Sequence, residues 1–234
     1  MKDKLILLGT LRKDITILFF ICLIIIICID FWLINISEKI TYGSKIGVIV
    51  EKLSLSYISA FIFYFLIVHI KTQKDKANIY TYVNTKVIII LGSCTGLLNE
   101  LSKASNSNLK EKYPNSEELT QMFLKINPNE NAPLLLSATS NNYANWIQYF
   151  EYFNKRSNDA TEKIFLKMPF LDTKLVSLLA KIDDCSHFMV IRNVVNTMPI
   201  RNTDLTFVQN TFKDYVELIK ELEKYSEKKL KNYK

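Results

Sequence analysis

The sequence predicts an all-α protein: an N-terminal transmembrane helical hairpin followed by a cytoplasmic helical domain. Three observations predict it. Residues 15–29, ITILFFICLIIIICI, form an uncharged run that continues past Asp30 to Ile36. A second apolar stretch, LSLSYISAFIFYFLIVHI, covers residues 53–70. Beyond it, apolar residues recur at spacings of three and four, the period of one helix face.

A bilayer core of about 30 Å needs roughly 20 apolar residues in a helix. Residues 15–36 reach about 33 Å and residues 53–70 about 27 Å at that rise, and IGVIV at 46–50 lets the second helix start near Gly47. A cleaved signal peptide has an apolar core of about 7–15 residues and a small-residue cleavage site. The first run is longer and NISE at 35–38 offers no such site, so the span is expected to stay as an anchor.

Lys2, Lys4, Arg12 and Lys13 precede the first span and Lys71, Lys74 and Lys76 follow the second, against Lys39, Lys45 and Lys52 between them. The positive-inside rule then places both termini in the cytoplasm. The richness in Ile, Lys, Asn and Tyr resembles the coding bias of a low-GC bacterium, so the expected membrane is the bacterial inner membrane. The predicted organisation is a basic N-terminus (1–14), a first span (15–36), an external loop (37–52), a second span (53–70), a helical extension (71–104) and a cytoplasmic domain (105–234).

Four residues of the membrane part are candidates for function: Asp30, Ser56, Ser59 and Tyr64. A carboxylate in hydrocarbon is expensive and marks function by default; hydration near the outer interface, or pairing with Lys45 or Lys52, is the alternative. Ser56, Ala60 and Tyr64 share one helix face. Small and hydroxylated side chains let helices approach closely, either onto the first span or onto another copy. Lys71, Lys74 and Lys76 are expected to meet anionic lipid headgroups, and His69 to sit at the interface.

In the cytoplasmic part, Val83, Val87, Ile90, Cys94, Leu97 and Leu101 predict a long helix. Gly92 and Gly96 within it point to a close crossing or a break. No third span is expected, because Ser93, Thr95, Asn99 and Glu100 would have to be buried in lipid. Residues 105–115 read as a loop. Asn115 with Glu118 forms a capping-box pattern that opens a short helix to about Ile126. Residues 127–133 read as another loop, and residues 142–167 as a helix with Trp146, Phe150, Phe153, Ala160, Ile164 and Met168 on one face, stopped by Pro169. Asp172 is placed to cap the next helix, whose apolar side is Leu175, Leu178, Leu179 and Ile182. Residues 185–198 fit a helix or a strand. The last helix is expected from Thr203 or Asp204, with Leu205, Val208, Phe212, Tyr215, Ile219 and Leu222 as its seam.

The net charge of +7 is concentrated beside the spans and in the lysine-rich tail, which membrane apposition explains; nucleic acid is not expected. Cys22, Cys28, Cys94 and Cys185 form no C-x-x-C, so reduced thiols are expected. The aromatic cluster at 146–153 is better explained as core than as a stacking platform for bases. With two histidines in the chain, His69 and His187, histidine metal sites and triads find no partner set. The densest reactive cluster is Asp183, Asp184, Cys185, Ser186 and His187; read as chemistry, Asp183, Asp184 and His187 are the weaker alternative site. No phosphate-binding loop follows Gly92 or Gly96, since the P-loop spacing and its Lys are missing. No cofactor is expected.

Residues 53–65, LSLSYISAFIFYF, and 169–184, PFLDTKLVSLLAKIDD, resemble a group of small bacterial two-span membrane proteins with a helical cytoplasmic domain. The resemblance implies that same architecture and an accessory role, in some members linked to phage defence, and it carries over no catalytic residue. The expected function is a non-enzymatic integral membrane protein acting through self-association or a protein partner, as an effector or tether in a stress or defence module. The alternatives are a membrane-anchored enzyme or nucleic-acid-binding module, and a channel-like oligomer lined by Asp30, Ser56, Ser59 and Tyr64.

Overall fold

The computed structural model of the 234-residue chain describes residues 11–32, 42–137, 139, 141–197 and 199–231. Lys2 and Lys4, residues 33–36 of the expected first span, residues 37–41 of the expected loop, Met198 and Lys234 lie outside the described residues. The chain divides into two compact units, Met1–Ala77 and Asn78–Lys234.

In the first unit, α1 (Lys13–Phe31) and α2 (Gly43–Phe63) are packed on each other, and α2 passes through a π-helical stretch, Tyr64–His69, into α3 (Ile70–Ala104). The contact face of α1 repeats at three and four through Ile15, Phe19, Cys22 and Ile26. It meets Ser54, Tyr57 and Phe61 of α2: Phe19 and Phe61 stack at 4.4 Å, and the Tyr57 hydroxyl donates to the Ile15 carbonyl at 3.0 Å. The remaining sides are apolar as well, and Ile17, Phe20, Leu53 and Phe63 are each more than half exposed. A helix serving a soluble core shows one apolar stripe and buries it. Here only 6% of the apolar stretch of the first helix and 11% of that of the second are buried within the molecule. Both helices are long and apolar enough to cross a membrane.

The second unit is built from the rest of α3, α4 (Ser116–Phe123), a β-hairpin of β1 (Asn131–Ser137) and β2 (Asn142–Asn145), α5 (Trp146–Phe165), α6 (Thr173–Asp183), α7 (Ser186–Val195) and α8 (Gln209–Tyr225). A 3₁₀ turn, Met168–Phe170, precedes α6; another, Thr206–Val208, precedes α8; a π-helical stretch, Ser226–Leu230, follows α8. One core joins them. The α3 seam from Val83 to Leu101 is buried at every predicted position. The same holds for Leu175, Leu178, Leu179 and Ile182 on α6 and for the run from Leu205 to Leu222 along α8. Phe212 lies at the centre, its ring 5.5 Å from Phe123 of α4, 5.4 Å from Phe150 of α5 and 5.1 Å from His187 of α7.

Helix starts follow side-chain caps. Asn115 and Glu118 form the predicted capping box, with the Glu118 N–H donating to Asn115 Oδ1 at 2.9 Å. Asp172 Oδ1 accepts from the Leu175 N–H at 2.9 Å, as predicted. The long helix expected from residue 142 begins instead at Trp146, because Asn145 and Gln148 make a second capping box there. Residues 142–145 are thereby released to pair with β1, in the register Asn131↔Asn145, Leu135↔Tyr143 and Ser137↔Asn142. Asn141, at φ 49°, supplies the left-handed backbone that leads into β2 and that Asn tolerates better than most residues. The protein is mostly helical, and this hairpin is the departure from the all-α expectation among the described residues.

Residues 185–198, left between helix and strand by their sequence, contain α7. The last helix starts later than Thr203 or Asp204, since Asp204 instead accepts from the Thr206 N–H at 2.9 Å and opens the 3₁₀ turn. Met168, expected on the core face of α5, is 45% exposed because α5 has already ended at Phe165. Neither Gly92 nor Gly96 breaks α3. A Cβ on Gly96 would meet the Phe153 ring at 3.5 Å, an ordinary contact, so this glycine marks the crossing of α3 and α5.

Gly92 is exposed, with open space where a Cβ would go. Gly92→Ala should therefore act through helix propensity alone and raise the thermal midpoint of the detergent-solubilised protein by roughly 2–3 °C. Phe212→Ala should cost about 3–5 kcal/mol, read as early loss of near-ultraviolet circular dichroism on heating.

Candidate functional site

The four membrane candidates do not converge. Asp30 is exposed in the last turn of α1, one residue before Phe31 closes the helix. No ion pair joins it to Lys45 or Lys52 among the described residues. Ser56 and Ser59 are exposed on α2, and the Ser59 hydroxyl donates back to the Leu55 carbonyl at 3.0 Å. Tyr64 is half-buried where the π-helical stretch begins, its ring 6.3 Å from that of His69. The hairpin contact runs through Ser54, Tyr57 and Phe61, whereas Ser56, Ser59 and Ala60 are exposed. The small, hydroxylated face of α2 thus points away from α1.

The cluster at 183–187 is pulled apart by its local structure. Asp183 is the last residue of α6, Asp184 its C-cap, Cys185 the N-cap of α7, and His187 lies within α7. Asp184 is exposed and Asp183 half-buried, where burial, with Asp184 and Glu162 adding to it, raises the Asp183 carboxyl above its ordinary range. The Cys185 thiol is buried and pushed up to about 11, the opposite of what a thiolate nucleophile needs.

His187 is fully buried in an aromatic cage, its ring 5.5 Å from Phe150, 5.1 Å from Phe212 and stacked on Tyr215 at 5.7 Å. The Thr211 hydroxyl lies 3.5 Å from Nδ1, while Nε2 is buried without a partner among the described residues. Burial lowers its pKa to about 3, so the ring is neutral. No hydrogen bond or ion pair joins it to Asp183 or Asp184 among the described residues. This geometry provides a core histidine rather than a base facing a nucleophile.

Around the cage lies a polar row that the sequence analysis did not single out. Asn154, Ser157 and Thr161 of α5 are buried, and Ser157 Oγ is 3.4 Å from the Tyr215 hydroxyl. Asn154 Nδ2 and Thr161 Oγ1 have no partner among the described residues. The signal was present as polar residues at a 3–4 spacing inside an otherwise apolar face, but the same spacing describes any solvated stripe. No group of three or more His, Cys, Asp or Glu side chains is placed to hold a metal ion among the described residues.

Fold and side chains together define a two-helix apolar hairpin joined to a helical domain whose reactive residues are distributed rather than assembled. No family model, curated protein or solved structure matches this chain.

The cage gives the domain an acid sensitivity with a definite sign. Below about pH 6.5 the unfolded chain binds a proton on His187 that the folded domain refuses until about pH 3. Stability is therefore lost as pH falls through that window, at up to about 1.4 kcal/mol per unit from this residue. In His187→Phe the drop in thermal midpoint between pH 7 and pH 4.5 should be smaller than in the unsubstituted protein; an equal drop would show that the imidazole is not held neutral.

Proposed function

We propose that this protein is a non-enzymatic membrane protein that acts by association of its helical hairpin, both termini lying on the cytoplasmic side. The observation that carries this reading is the outward face of α2. Ser56, Ser59 and Ala60 are exposed, while the hairpin uses a different face for its own packing. In lipid, helix association is driven by close packing of small side chains and by interhelical hydrogen bonds. A second copy of the hairpin supplies both.

The helical seams of the cytoplasmic domain support the same assignment by elimination. The run from Leu205 to Leu222 has the spacing of an association surface, but every one of those side chains is covered by the domain's own core. Association through that domain has to use other surfaces. Among the described residues no nucleophile, base and orienting group are assembled, which favours a tether or effector over an enzyme. A role in a stress or defence module rests on the resemblance of residues 53–65 and 169–184 alone.

Light scattering of the nanodisc-embedded protein, corrected for lipid, should give a defined oligomer. Ser56→Leu combined with Ala60→Leu should convert it to the monomer with helicity unchanged. A monomer before any substitution, with no partner co-purifying, would refute the proposal. If the oligomer conducts ions, Asp30→Asn tests whether Asp30 lines the path: unchanged conductance removes it from the pore.

A further inference from the structure

The turn between α5 and α6 is unusual for a protein surface facing water. Leu166, the C-cap of α5, is 77% exposed, as much as Trp32 at the end of the first apolar helix. Met168 and Phe170 follow at 45% and 46%. Phe165 and Leu171, which bracket them, are half-buried against the core. The alternation has a local cause: Pro169 sits inside a 3₁₀ turn, which breaks the helical phase and turns three large apolar side chains outward while their neighbours hold the turn in place. Isolated exposed apolar residues need no explanation, but three within five positions do.

Next to this turn the surface becomes basic. A cleft of about 620 Å³ is lined by Asp172, Lys174 and Leu178 on one side and by Glu221, Lys224, Tyr225, Lys228 and Lys229 on the other. The turn and the cleft are tied together, because Asp172 lies two residues beyond Phe170 and accepts a hydrogen bond from the Tyr225 hydroxyl. Asp172 is further engaged by the Leu175 N–H, so its carboxylate is committed to structure. Lys174, Lys224, Lys228 and Lys229 form no ion pair among the described residues, and Lys167 within the turn is equally exposed and unpaired there. The π-helical stretch Ser226–Leu230 buries Ser226 and Leu230 and leaves Lys228 and Lys229 exposed at the cleft.

An apolar wedge bordered by unpaired lysines is the composition of a surface that lies on an anionic bilayer. The apolar side chains enter the acyl boundary, and each lysine gains from the negative potential of the headgroups. The surplus of lysines over carboxylates beside the apolar turn complements the negative surface of such a bilayer. We propose that Leu166, Met168 and Phe170, together with Lys167, Lys174, Lys224, Lys228 and Lys229, form a peripheral docking surface for anionic membrane lipid, separate from the apolar hairpin. The hairpin makes such docking effective, since a tethered domain meets the bilayer at high local concentration and a weak surface suffices. This contact is distinct from Lys71, Lys74 and Lys76, which directly follow the second apolar stretch.

The full chain is reconstituted into liposomes with benzoylphenylalanine at position 170 in place of Phe170, or at position 168 in place of Met168 should the first variant fold poorly. Position 152, where Tyr152 is 43% exposed on α5, is the control. After irradiation, adducts with alkyne-tagged lipid are counted in neutral phosphatidylcholine and in bilayers containing phosphatidylglycerol. Lipid adducts are expected at 170 and 168 well above the control in the anionic bilayers. They should fall about fivefold for each lysine removed from the docking equilibrium in Lys228→Gln and Lys229→Gln, and fall again at high salt. Equal yields in neutral and anionic bilayers, yields no higher than at position 152, or adducts to a second copy of the chain or to another protein would each overturn the proposal. The oligomer measured for the hairpin is read separately, so either conclusion stands or fails without the other.

Discussion

The unit Asn78–Lys234 depends on the packing of one ring. Phe212 touches Phe123, Phe150 and His187, which stand on three other helices, so α4, α5, α7 and α8 converge on a single aromatic nucleus. Aromatic side chains bury large areas and prefer edge-to-face contacts, and Phe150 meets both Phe123 and Phe212 in that way, at 87° and 86°. A nucleus of this kind leaves little tolerance for a titratable group. The histidine it contains, His187, is held neutral and short of a partner at Nε2 among the described residues. Its place among the rings explains both its loss of chemical availability and its influence on stability.

The hairpin unit follows a different constraint. Most of its apolar surface is left exposed rather than buried in a core. Among the described residues the hairpin contact includes the Phe19–Phe61 ring stack, the Tyr57 hydrogen bond to the Ile15 carbonyl and a short seam. It uses the face of Ser54, Tyr57 and Phe61 and leaves Ser56, Ser59 and Ala60 outward. In water such a face would be an ordinary solvated stripe; in lipid it is a candidate for helix association. The same side chains acquire or lose meaning according to the solvent around them.

In the cluster at 183–187 the titratable side chains are divided between one helix end, a cap and the next helix. Asp184 and Cys185 end one helix and begin the next, and His187 turns inward. Surfaces, rather than clefts with convergent polar groups, are what remain: the outward face of α2, and the apolar turn at 166–170 beside the lysine-lined cleft.

The helical character, the two apolar helices and the main helix seams of the core were legible in the sequence, because each rests on a local period; Phe123, Ile147 and Phe188 were not, since no seam singled them out. Val83 to Leu101, Leu175 to Ile182 and Leu205 to Leu222 could be assigned to buried faces from spacing alone. The caps at Asn115 and Asp172 were legible for the same reason, as short-range chemistry. Other features required the tertiary structure. Asn145 competes with residues 142–144 for the start of α5, and only pairing with β1 decides the outcome in favour of a hairpin. Which face of α2 meets α1 depends on a partner helix that periodicity in an all-apolar run cannot specify. That Met168 points outward, and that His187 points into a cage rather than toward Asp183, depends on where a 3₁₀ turn and two helix ends fall. Local periods report which residues are to be covered; only the packed chain decides by what.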